Sequence, residues 1–174
     1  ESWIPLKSPK FYEKRALDLR LNARVTAIDP RNRRVTLADG TALDFGALLL
    51  ATGADPVRLD LPGADAAAVH YLRTLSDSRA IVGAAATAKT ALVIGASFIG
   101  LEVAASLRAR KLDVHVVGPE ARPLERVMGP ELGDAVRRLH EKQGVVFHLG
   151  ETVTKLEGKT ASLSGGTSLA ADLI

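Results

Sequence analysis

The 174 residues are enough for one ordinary domain, or two small or incomplete ones, and 47 % hydrophobic with 25 % charged residues excludes a disordered tail, a collagen-like chain or a coiled coil. Zero cysteines exclude a disulfide framework, a thiolate metal site and any cysteine nucleophile or dithiol within this stretch, a usage compatible with a reducing cytoplasm, the expected location. The 23 basic and 20 acidic side chains leave a net charge of +3 spread along the chain, with no basic run to grip phosphate backbones and no apolar stretch of the ~18 residues that span a membrane, so neither nucleic acid nor a membrane is an expected partner.

In chain order, Glu1-Ser2-Trp3-Ile4-Pro5 lacks the basic flank and apolar core of a signal peptide and reads like the middle of a longer protein. Phe11 to Leu21 predicts the end of a helix followed by a strand. Asp29-Pro30-Arg31-Asn32 and Asp39-Gly40-Thr41 are turn chemistry between alternating segments, which predicts a short antiparallel meander. Ala47-Leu48-Leu49-Leu50-Ala51 is continuously apolar, as in a strand covered on both faces of a parallel sheet, and runs into Thr52-Gly53-Ala54.

This pattern recurs downstream. Phe11-Tyr12-Glu13-Lys14 matches Leu139-His140-Glu141-Lys142, Val25-Thr26 matches Val153-Thr154, Ile28 matches Leu156, and Leu37, Gly40-Thr41 and Leu43 match Leu163, Gly166-Thr167 and Leu169. Ahead of the second copy, from about Thr90, lies a full strand, glycine turn and helix, which the first copy lacks. The chain is therefore expected to be a segment of a longer protein, without the nucleotide-binding half of its first repeat and the last strand of its second. Residues 1–70 are assigned to an incomplete first domain and 71–174 to a dinucleotide-binding α/β domain with a β-meander.

Between the copies, an apolar strand ends in Gly95-Ala96-Ser97-Phe98-Ile99-Gly100, continues into an alanine-rich helix containing Glu102, and returns through Arg110-Lys111-Leu112 to a second strand ending at Val117. This is the βαβ order of a dinucleotide fingerprint. Gly95 permits the tight turn, the small residue at Ser97 lets backbone approach a pyrophosphate, and Gly100 lets helix pack on strand, with the anion at the helix N-terminus. A serine stands where the middle glycine is usual.

At the end of the second strand the rule asks for a carboxylate on the adenosine ribose. Gly118 stands there instead, with Glu120, Arg122 and Arg126 beyond. Glu120 suits the ribose of NADH, either arginine suits a 2′-phosphate, and solvated loop charges are the other reading of all three; NADH is placed slightly ahead of NADPH. Pro130 suits a helix start, Leu132, Ala135, Val136 and Leu139 form its apolar stripe, and Gly144 suits its end, ahead of a strand over 145–149. His70, His115, His140 and His148 show no ligand spacing and are read as ordinary surface or strand residues.

Leu48 to Pro56, Leu61-Pro62-Gly63, Val69 to Thr74, the glycine loop with Gly100-Leu101-Glu102, and Pro123 to Gly129 together resemble the pyridine-nucleotide-dependent FAD oxidoreductases. The wording is similar to the ferredoxin-, rubredoxin- and putidaredoxin-reductase group and to apoptosis-inducing-factor-like flavoproteins. The resemblance implies two Rossmann-like domains binding FAD and NAD(P)H, with Ala51, Thr52 and Gly53 as a second FAD contact and Arg58 reaching the same cofactor. It further implies that Glu102 lies near the meeting of nicotinamide and flavin, and Arg126 against the adenosine end. A first-turn carboxylate favoured by the helix dipole is the other reading of Glu102. The implied activity of the whole protein is hydride transfer from NAD(P)H to flavin and electron transfer to a small iron–sulfur acceptor, this stretch alone being inactive. The alternative is a non-catalytic dinucleotide sensor or assembly-control flavoprotein. No side chain here is expected to be a catalytic acid, base or nucleophile, and no metal site is expected.

Overall fold

A computed structural model describes residues 7–65 and 69–174, so the expectation at Glu1 to Pro5 lies outside the described residues. The chain forms two compact units, Glu1–Gly53 and Ala54–Ile174. In the second unit Leu59, Leu61, Ala64 and Val69 pack against a cluster containing Leu92 and Leu156.

The first unit holds a short helix α1 (Pro9–Lys14) and an antiparallel meander of β1 (Val25–Asp29), β2 (Arg34–Leu37) and β3 (Ala42–Asp44). Its turn is made by Asp29, whose carboxylate accepts from the Arg31 and Asn32 N–H groups at 3.0 Å each. Val35 and Leu37 are buried. Two expectations are corrected: residues 17–21 and 47–51 form no strand, and Leu49 is 87 % exposed. A parallel strand takes all its hydrogen bonds from neighbours, and the described residues of this unit offer these segments none.

The second unit is a three-layer α/β structure. After α2 (Leu75–Ala85) come β4 (Thr90–Ile94), α3 (Phe98–Ala109), β5 (Asp113–Gly118), α4 (Glu125–Lys142) and β6 (Val145–Leu149), then a meander of β7 (Val153–Glu157), β8 (Thr160–Leu163) and β9 (Ser168–Ala170). The parallel sheet has the order β4-β5-β6, and Leu173 pairs in parallel with Ala91 on the free side of β4. One face carries α2 and α3 through Ala85, Ala104 and Leu107 against Ala91, Val93, Val114 and Val116. The other carries the meander through Leu156, Ala161 and Leu163 against Leu92 and Val117. Asp172 pins the returning chain, accepting from the Lys89 N–H at 3.0 Å and from Lys159 Nζ at 2.9 Å.

The repeat holds at the level of single hydrogen bonds. Val25 pairs with Leu37 and Val153 with Leu163, each followed by a register shift, and Thr26 and Thr154 each donate a side-chain hydrogen bond across their hairpin at 3.2 Å. Helix α4 departs from its predicted packing. Gly129 (φ +78°, ψ 175°) breaks it in two, so that its second part starts at Pro130 as expected, but Leu132 and Leu139 are exposed rather than core. Gly133 is buried and Val136 and His140 are half-buried, with the His140 ring edge-on to Phe147. No described helix is long and apolar enough to cross a membrane.

Candidate functional site

Strand β4 delivers the chain to the glycine loop, where Gly95 takes φ +118°, a conformation that side-chain-bearing residues rarely adopt. At Gly100 a Cβ would stand 2.0 Å from the Gly95 carbonyl oxygen and 3.3 Å from Val93 Cγ1, so the first turn of α3 folds against the loop only with glycine there. Ser97 is the N-cap in an extended backbone and makes no side-chain bond to the helix, which leaves the first-turn N–H groups without a side-chain acceptor. Ser97, Phe98 and Ile99 are exposed, while Ala96 is buried.

The loop is held by its neighbour. Gly95 donates its N–H to the Val117 carbonyl (2.8 Å) and Leu124 to the Ala96 carbonyl (3.0 Å). Gly118 ends β5 against Ala96, where a Cβ would come within 2.9 Å of the Ala96 Cβ. Glu120 follows, its carbonyl accepting from Gly150 at 3.0 Å and its carboxylate paired with Arg126 at 3.0 Å. Arg122 is committed elsewhere, to Asp134 at 2.9 Å and Glu125 at 3.1 Å.

Beside the loop opens a cleft of about 330 Å³, mainly apolar, lined by Gly95, Ser97 and Gly100 with Tyr71, Leu72, Ile81, Val103 and Leu173. Glu102 does not line it. It lines an adjoining groove between α2 and α3, with Ser78, Ser106 and Arg110, and the two hollows share Leu72, Ile81, Val103 and Leu107. Arg58 lies with its guanidinium 4.5 Å from the centre of the Tyr71 ring, whose hydroxyl accepts from the Leu59 N–H at 3.0 Å. Ala51, Thr52 and Gly53 are exposed, and Gly53 takes φ +77°, a turn conformation that suits glycine.

Several features escaped the sequence reading. Thr74 and Asp77 form a reciprocal capping box that starts α2, the Asp77 N–H donating to Thr74 Oγ1 at 3.1 Å and the Thr74 N–H donating to the Asp77 carboxylate at 2.7 Å, and the hydrogen bonds from Thr74 hold that carboxyl below its ordinary range. Its Thr-x-x-Asp spacing was available as a signal. His115 and His148, far apart in sequence, meet on neighbouring strands with Nδ1 and Nε2 3.0 Å apart and the rings stacked. Burial first, and the His148 ring second, push the His115 pKa down. Only the parallel register of β5 and β6 brings this pair together, so no spacing rule reveals it. Among the described residues no group of three or more metal-ligating side chains gathers.

The loop geometry fits a dinucleotide pyrophosphate: a glycine turn, a close approach at Gly100 and open N–H groups at a helix start. The chain is 34 % identical to rhodocoxin reductase of Rhodococcus erythropolis over 171 residues, 98 % of this chain and 40 % of that protein. Its fold matches a ferredoxin reductase of Rhodopseudomonas palustris with a TM-score of 0.88 and 36 % identity, covering 99 % of this chain and 44 % of that one. It matches putidaredoxin reductase, in its covalent complex with putidaredoxin, with a TM-score of 0.85 and 34 % identity, over 97 % of this chain and 43 % of the other. The chain therefore spans less than half the length of these relatives. Residues 7–174 match the family model of the pyridine nucleotide-disulphide oxidoreductases, and the chain belongs to that family.

Proposed function

We propose that this chain is the NAD(P)H-binding portion of an FAD-dependent reductase whose electrons pass to a small iron–sulfur protein. The observation that carries the reading is the loop Gly95–Gly100, a positive-φ turn against which α3 is closed by a glycine that no larger residue can replace in place. When bound, NAD(P)H supplies a hydride that the whole protein passes to FAD. Gly95, Ala96 and Ser97 present backbone to the pyrophosphate, and the α3 N-terminus with Phe98, Ile99 and Gly100 faces its charge. Gly118 and Glu120 border the adenosine ribose, with Arg126 beside them, and the apolar cleft at Tyr71, Leu72 and Val103 excludes water from the nicotinamide end. Glu102 borders the groove next to that cleft, where flavin and nicotinamide meet. Ala51, Thr52, Gly53 and Arg58 are assigned to the flavin. The names of the relatives, rhodocoxin reductase and putidaredoxin reductase caught with putidaredoxin, support the acceptor class.

Calorimetric titration of the chain with NADH tests the nucleotide site. Saturable binding that Gly100→Val abolishes supports the reading, and binding that Gly100→Val leaves intact overturns it. In the whole flavoprotein, NADH-dependent reduction of a small iron–sulfur protein is expected; an NADH-driven change of oligomeric state without turnover would replace the reductase by a sensor.

A further inference from the structure

The adenosine end of the site lacks its usual selector. In most dinucleotide folds a carboxylate at the end of the second strand accepts from the ribose hydroxyls and repels a 2′-phosphate. Here that position is Gly118, pressed against Ala96. The charged groups around it are largely committed to other partners. Arg122 is held by Asp134 and Glu125, and Glu151 accepts from the Gly165 N–H at 3.1 Å. Glu120 and Arg126 remain, paired only with each other among the described residues.

These two differ in how firmly they are placed. Glu120 is set by the Gly150 hydrogen bond to its carbonyl and its side chain is 25 % exposed; Arg126, on the first turn of α4, is 79 % exposed. A carboxylate has about four acceptor sites. With Oε1 bound to Arg126, Oε2 is left for a ribose diol. Arg126 is the solvent-facing half of the pair and stays hydrated when it swings away, so the same arginine can turn from Glu120 to a 2′-phosphate, whose oxygens suit its planar fork.

We infer that the Glu120–Arg126 pair is an adjustable counter-ion that lets this site accept both NADH and NADPH with little discrimination. This inference rests on the dinucleotide reading of the Gly95–Gly100 loop. It is tested without flavin or turnover by titrating the full chain with ADP-ribose and with 2′-phospho-ADP-ribose, which differ only in the phosphate. The two are expected to bind within about fivefold of each other, since the mobile partner, Arg126, is solvent-exposed and its pairings are each worth about 1 kcal/mol or less. Glu120→Gln is expected to shift the ratio at least fivefold toward the phosphorylated probe, Arg126→Gln at least fivefold away from it, and Arg126→Lys to restore part of the loss through its charge without the planar fork. A wild-type preference above about fiftyfold, or a ratio that neither variant moves, overturns the inference while leaving the site intact. If neither probe binds the wild-type chain, the dinucleotide reading itself falls and this inference with it.

Discussion

Leu156 and Ile28 occupy the same place in the two meanders, Leu156 opposite Ala161 and Ile28 opposite Val35, yet Leu156 is 1 % exposed and Ile28 is 42 % exposed. Replacing each by alanine separates what the sequence position contributes from what burial contributes. Leu156→Ala removes side-chain carbons worth about 0.8 kcal/mol apiece and leaves a cavity against Leu92, Val117, Ala161 and Leu163, which brings the cost to about 3–4 kcal/mol. Ile28 keeps much of its contact with water in the folded state, and its truncation costs about 1 kcal/mol. Urea unfolding followed by circular dichroism, with matched m-values, reads both variants on one scale. Equal losses, within about 0.5 kcal/mol, would show that burial does not set the difference and would refute the reasoning.

Other outcomes follow from the same geometry. Gly83 lies inside α2, and a methyl group added there would have nothing within 4 Å, so Gly83→Ala should raise stability by about 0.5–1 kcal/mol in the same assay, and a loss would contradict it. The hydrogen bonds of Asp172, first from Lys159 and then from the Lys89 and Thr90 backbone, hold its pKa far below the ordinary carboxylate range. Its contribution is therefore complete above the unfolded value near ~3.9 and fades as pH falls below it, so Asp172→Asn should flatten the acid limb of the unfolding curve below about pH 4. The depressed pKa of His115 has the opposite chemistry: its neutral form is favoured in the fold, so stability is full above about pH 6.5 and declines as pH falls below that. Its ring protons should titrate by NMR with a midpoint below the ordinary histidine value, and a midpoint above it would sink the assignment.

What the sequence made legible was local. The turns at Asp29 and Gly40, the matching hairpin bonds of Thr26 and Thr154, and the strand–glycine–helix order at Gly95 all depend on residues close in the chain, and each stands where their local chemistry predicts. What failed was non-local. Leu48, Leu49 and Leu50 read as a buried parallel strand, but a parallel strand is defined by its neighbours, and apolar composition alone supplies none. The second unit makes the same point from the other side: Leu173 does pair, because Ala91 is beside it and Asp172 fixes the approach to Lys89 and Thr90. Helix α4 differs from expectation for a related reason. Its stripe of Leu132, Ala135, Val136 and Leu139 has the right period, but Gly133 and the His140 ring against Phe147 share the inward side with Val136, while Leu132 and Leu139 stay exposed.

The candidate site divides along the same line. Gly95 and Gly100 could be read from spacing because the turn and the close approach are properties of one short segment. The adenosine end could not, since its character depends on which charges are already used. Spacing alone does not separate Arg122 from Arg126, although the family resemblance points to Arg126; in the fold Asp134 and Glu125 occupy the first, while among the described residues the second is paired with Glu120 alone. If the proposed adenosine end is right, selectivity between NADH and NADPH depends on commitments made several residues away, and exchanging Asp134 for asparagine should loosen Arg122 and shift binding toward 2′-phospho-ADP-ribose without touching Glu120 or Arg126. Paired titrations of that variant measure the shift, and an unchanged ratio would mean that Arg122 lies out of reach of the ribose however it is paired.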